Sequence, residues 1–294
     1  MLEEIARLGF EHVELSHGVP VTLVPGILRA VQAGVIRVSS THNFCPLPPG
    51  ALRAAPNLYE PSSPDAAERE QWLRHSRRSL DFAAEVKAEV LVCHLGRVRF
   101  RWFDPAPRLA RCRRETAAAP SPAAGARYAA VLARAQARLA RKLPPFWSRA
   151  QESVGALLPH ATARGVRLGF ENRDGFAELP READIAVWLD GLPADAPVGY
   201  WHDTGHAAIK ADHGLLEPHS HLAALAARTL GFHLHDVSAS GRDHQPVGTG
   251  RVDFAALRKY WRPGQLLTLE LGPQTPVDDV RRSKAQIEAW LDGE

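Results

Sequence analysis

Six short apolar runs spread along the chain each end in side chains able to ligate a metal. They read VSSTHN with His42, VLVCHLG with His94, VRLGFENR with Glu171, VGYWHDTGH with Asp203 and His206, GFHLHD with His233 and His235, and LLTLELG with Glu270. Short runs rich in Val, Leu and Phe, bounded by Gly, Pro or polar residues, read as strands buried on both faces, the pattern of a parallel sheet. When eight parallel strands close into a barrel, the loops after the strands share one face. An acid or imidazole at the end of strand after strand then converges on one point, a candidate metal site.

Size and composition agree with this. The chain has 294 residues, 45% hydrophobic and 23% charged, and a TIM barrel takes about 250 residues as one domain. A single domain over residues 1–294 is the expectation. No apolar stretch approaches the roughly 20 residues that cross a bilayer, and the opening MLEEIARLGF is an amphipathic helix rather than a signal peptide. A cytoplasmic protein without a membrane partner is therefore expected. Cys45, Cys93 and Cys112 lack the C-x-x-C spacing of zinc or redox pairs and read as reduced thiols. The net charge of +3 is too small to argue nucleic-acid binding.

Between the runs lie segments of helical period, among them AAEREQWLRHSRRSLDFAAEV, SRAQESVGALLPHATARG, LLEPHSHLAALAARTLG and VDDVRRSKAQIEAWLDG. Each puts apolar residues on one face and polar residues on the other. Strand alternating with helix predicts a parallel α/β sheet, here a TIM (β/α)8-type barrel. Arg97–Pro145 breaks the rhythm: RVRFRWFDPAP, the Ala/Pro-rich TAAAPSPAAGA, then the helix YAAVLARAQARLARKL. An insertion directly after the His94 strand would hang over the catalytic mouth as a lid. The first strand is HVELS, around Val13 to Leu15, so about seven strands stand where closure needs eight. Either translation starts upstream, or the barrel lacks its first strand and the gap is left open or filled by another segment or a second subunit of a homo-oligomer.

The order LGFEHVELS, VSSTHN, VCHLG, LGFENR, HDTGHA, HLHD, PVGTGRVDF and LELG resembles the sugar phosphate isomerase/epimerase superfamily of xylose isomerase-like TIM barrels, which also includes the apurinic-site endonucleases. The likeness runs from the first helix to the last strand, omitting the first barrel strand and the insertion. It implies a divalent ion held by Glu171, Asp203, His233 and Glu270. Hard oxygen donors with one imidazole suit Mn²⁺, Mg²⁺, Co²⁺ or Zn²⁺. His235, two residues along the same strand face, is an alternative to His233.

An ion gripping adjacent oxygens of a small sugar acidifies the C–H between them, and a carboxylate can take or return that proton. Glu171 and Glu270 are the candidate pair, with His42, His94, His206, His235, Arg242 and His244 as candidate substrate contacts. The expected activity is isomerisation or epimerisation of a small sugar, sugar phosphate or related keto compound. The alternative is a zinc-dependent endonuclease-like phosphodiesterase, because His42, His94, His206 and His244 stand where those relatives carry further zinc ligands. Against it, Arg242 occupies the place of an expected Asp.

Overall fold

The computed structural model describes residues 1–217 and 220–293; within the helical segment expected at 215–231, Pro218 and His219 lie outside the described residues. In chain order the elements are α1 (Leu2–Arg7), β1 (His12–Leu15), α2 (Val24–Gln32), β2 (Arg37–His42), α3 (Ala66–Glu85), β3 (Val90–Cys93), α4 (Ala106–Ala118), α5 (Pro122–Arg164), β4 (Arg167–Glu171), α6 (Glu182–Asp190), β5 (Val198–Asp203), α7 (Thr204–Asp212), α8 (Ser220–Leu225), β6 (Thr229–Leu234), α9 (Phe254–Leu257), β7 (Leu266–Leu269) and α10 (Val277–Leu291). The seven strands follow one another in a single sheet, every neighbouring pair parallel. This is the expected TIM-type barrel one strand short: residues 2–7 are helical, and β1 and β7 are the two ends of the sheet.

Side chains alternate between faces along a strand, and the alternation explains the site. Outward residues such as Leu15, Leu91, Leu168 and Phe232 join the main core beneath the helices. Inside, Val90, Val92 and Trp201 form a separate buried cluster with Leu230 and Leu266. The indole of Trp201 fits because its neighbours are glycines: a Cβ on Gly169 would lie 3.2 Å from the ring and one on Gly231 2.6 Å. Trp201 thus fills the barrel interior below the strand ends, and the next inward positions, Glu171, Asp203 and His233, are lifted to the mouth.

The helix expected at the end of the insertion begins earlier and runs further than its sequence suggests. Ser121 caps a helix, accepting from the Ala124 N–H, and Pro122 takes the first helical position, where its missing N–H costs nothing. That helix, α5, runs unbroken through the two segments expected to be separate helices. Pro144 and Pro145 lie on its exposed face, where the carbonyls they leave without partners can take water. Leu109 and Cys112 of α4 pack on Val131 and Ala135 of α5, making a helical hairpin. Tyr128 Oη donates to the His213 carbonyl at 2.8 Å, tying the hairpin to the end of α7. No helix is long and apolar enough to cross a membrane among the described residues.

Candidate metal centre

Glu171 closes β4, Asp203 closes β5, His233 lies in β6 and Glu270 directly follows β7. One ligand atom from each lies within 4.8 Å of all the others. His233 Nδ1 is 3.3 Å from Glu171 Oε1, 3.0 Å from Glu270 Oε2 and 3.9 Å from Asp203 Oδ2. Although burial opposes ionisation, the Arg173 guanidinium at 3.3 Å and the imidazoles packed around it hold the Glu171 carboxyl well below the usual range. Glu270 is likewise held low against burial by His233, and Asp203 is lowered against burial by His206 and His235. Against its burial, Glu270, then Glu14 and Glu171, push His233 well above its ordinary value.

Three carboxylates this close repel one another out of water unless positive charge stands among them. Glu270 Oε2 is also buried without a hydrogen bond. Three oxygen donors and one imidazole nitrogen, with an unbonded carboxylate oxygen among them, fit a hard or borderline divalent cation.

Ring nitrogens show which histidines can add to this set. His42 Nδ1 faces the Asn43 carbonyl at 3.1 Å and His94 Nδ1 faces Asn57 Oδ1 at 2.8 Å, so each donates there. In the neutral ring Nε2 is then a lone pair. Both Nε2 atoms point at Glu171 Oε2, from 3.2 and 2.8 Å, so three acceptors converge and His42, His94 and Glu171 form a second group able to hold a metal. Burial and then Arg173 push His94 well below its ordinary value, which keeps the ring neutral.

His235 differs. Its Nδ1 accepts from the His244 N–H at 2.9 Å, so Nε2 carries the proton and donates to Asp203 Oδ2 at 3.0 Å. It orients Asp203 and has no lone pair to offer, although its atoms fall within ligating distance of His244 and Glu270. His244 stacks on it with ring centroids 4.3 Å apart. His206 Nδ1 donates to the Asn172 carbonyl at 3.0 Å, and against burial Asp203 pushes it up to about 9. Arg242 is exposed and, with Arg113 of the insertion and His244, lines a cavity of about 800 Å³ beside the centre.

The H-L-H-D and G-T-G-R-V-D-F motifs form one physical unit. Asp236 accepts from the N–H groups of Val237, Gly248, Gly250 and Val252 at 2.8–3.1 Å. The loop after β6 is thereby pinned beside His235.

Glu14, His17, Asn57 and Arg173 belong to the site and are absent from the sequence-based set. Glu14 carried the one usable signal, an inward acid in the β1 run HVELS. His17 packs edge-on against His42 at 4.7 Å, and burial lowers it to about 3.

The chain is similar in fold to a D-tagatose 3-epimerase-like protein (TM-score 0.69, 17% identity, 99% of this chain and 91% of that one covered). It is also similar to a 3-keto-D-glucoside 4-epimerase from E. coli (TM-score 0.64, 16% identity, 98% and 92% covered). A D-psicose 3-epimerase crystallised in the presence of D-fructose gives a TM-score of 0.63 at 16% identity, with 99% and 93% covered. No curated protein matches the sequence. A family model described as xylose isomerase-like TIM barrel matches residues 2–263, and the chain belongs to that family.

Proposed function

We propose that the protein is a divalent-metal-dependent isomerase or epimerase of a small sugar, sugar phosphate or related keto compound. The observation that carries this reading is the group of Glu171, Asp203, His233 and Glu270, whose ligand atoms lie within 4.8 Å of one another. The sugar epimerases of like fold agree with it. Bound there, the ion would polarise a substrate carbonyl and acidify the adjacent C–H. The chain's own part is proton transfer: a Glu171 or Glu270 oxygen takes the proton from carbon while the electron pair moves onto the carbonyl oxygen. Delivery of a proton to the opposite face by the other carboxylate, which has first taken one up from solvent, inverts the carbon; return of the proton to the neighbouring carbon, with the hydroxyl proton passing between the two oxygens, isomerises the sugar. Against the effect of burial, Arg173 and the flanking histidines hold Glu171 ionised, and His233 and His244 hold Glu270 ionised, the state a base requires.

The test is deuterium incorporation from D₂O into a panel of ketoses, aldoses and their phosphates with protein and Mn²⁺. A true substrate gains deuterium at the attacked carbon, and Glu270→Gln abolishes the exchange. No exchange with any of the panel overturns the reading.

A second reading is favoured by one observation, the convergence of His42 Nε2, His94 Nε2 and Glu171 Oε2. His42, His94 and Glu171 would hold a cation beside one at the four-donor group, and such a pair would supply water activation and leaving-group stabilisation for phosphodiester hydrolysis. Cleavage of an abasic-site duplex that falls with His94→Ala, without sugar exchange, would establish it.

A further inference from the structure

We infer that Glu14 is a positioning residue that fixes the proton and the orientation of His233, so that Nδ1 rather than Nε2 faces the metal centre. The inference rests on the metal-dependent reading of the same site.

The geometry is closed on both sides of the ring. His233 Nε2 is 2.9 Å from Glu14 Oε1, while Nδ1 faces Glu171 and Glu270. A neutral imidazole has one N–H and one lone pair. A carboxylate accepts and does not donate, so the proton belongs on Nε2 and the lone pair is left on Nδ1, the atom that must bind a cation. Glu14 is itself held: Ser40 Oγ donates to its other oxygen, Oε2, at 2.7 Å, and Ser40 is fully buried. His233 has no exposed surface, so water offers no substitute partner.

The contact also reaches across the barrel. Glu14 sits on β1, one end of the sheet, and His233 on β6, next to the other end. The position of the ring is thereby tied to a strand on the far side of the gap. A carboxylate behind a ligating imidazole raises its basicity, and removing such a partner typically lowers metal affinity by about 10–100-fold.

The experiment is Mn²⁺ titration by calorimetry, on the whole chain, of wild type, Glu14→Ala, Glu14→Gln and Ser40→Ala. Thermal unfolding of each metal-free protein reports folding separately. Glu14→Ala should weaken binding by about 10–100-fold. Glu14→Gln, which keeps an acceptor oxygen, should recover most of that loss, and Ser40→Ala should give a smaller one. In Co²⁺-loaded wild type, proton NMR should show a hyperfine-shifted, slowly exchanging Nε2–H of His233, which Glu14→Ala removes or makes exchange fast. Unchanged Mn²⁺ affinity in Glu14→Ala, or Gln no better than Ala, overturns the inference while leaving the metal reading intact. Wild type that binds neither ion overturns both.

Discussion

His94 Nε2 lies 2.8 Å from Glu171 Oε2, and His42 Nε2 approaches the same oxygen from 3.2 Å. Both rings present lone pairs to an oxygen that is also an acceptor, an arrangement stable only with a proton or a cation between them. In the zinc-loaded protein the expected result is a second equivalent, weaker than the first. His94→Ala should remove that second equivalent and leave the first within a few-fold, read by elemental analysis and calorimetry. One equivalent in both proteins would make the pair a proton relay and leave only the sugar reading.

Gly205 tests how tightly the second layer is built. A Cβ there would collide with the imidazole of His235, whose Nε2 orients Asp203. Gly205→Ala should therefore lower Mn²⁺ affinity by at least about ten-fold and lower the unfolding midpoint, since second-layer partners of a ligand carry that magnitude. Gly125→Ala is the control. It lies in α5 with nothing within 4 Å of the added Cβ, and should stabilise by about 0.5–1 kcal/mol with unchanged metal binding.

The barrel was legible in its β-runs, and their ends brought a pool of acids and histidines to one mouth, while the choice of Glu171, Asp203, His233 and Glu270 among them came from the family resemblance. His233 over His235 was not decidable at that level. Both point inward, and the choice depends on the His244 backbone N–H, which arrives from a loop nine residues later to occupy His235 Nδ1. Glu14 was missed for a similar reason. An acid in a strand bordering a gap looks solvent-facing until its partner, 219 residues away in sequence, is placed against it. The helical continuity of α5 was hidden by Pro144 and Pro145, which sequence rules treat as breaks and which the exposed face tolerates.

The metal-free protein should be most stable near neutral pH, with two different causes of decline. His206 is raised to about 9 in the fold, so its stabilising contribution is complete below its unfolded value of about 6.5 and is lost as pH rises through 9. His17, lowered to about 3, acts oppositely. The unfolded chain takes its proton first, so stability falls as pH drops from about 6.5 toward 3. Urea unfolding from pH 4 to 10 measures both limbs. Mn²⁺ affinity should instead keep rising through the alkaline limb, because His233 is held protonated well above its ordinary range and must release that proton to bind. A metal affinity independent of pH would exclude His233 from the ligand set.

The gap between β1 and β7 gives the last prediction. All four residues of β7 are only half-buried, whereas four of the five in β4 and all six in β5 are buried. A cavity of about 1020 Å³ lies along the gap, lined by Val13, Glu14 and His17 on one side and Leu267, Leu269 and Glu270 on the other. The backbone on these facing edges has no strand partner among the described residues, and unpaired edges either exchange with water or recruit another strand. In dilute protein, amide hydrogen exchange of segments 11–16 and 264–271 should be faster than that of 166–171 and 197–203. Raising the protein concentration should leave this contrast unchanged if the chain works as a monomer. Protection of both edge segments that grows with concentration, together with a doubled mass by light scattering, would instead show that a second copy fills the gap.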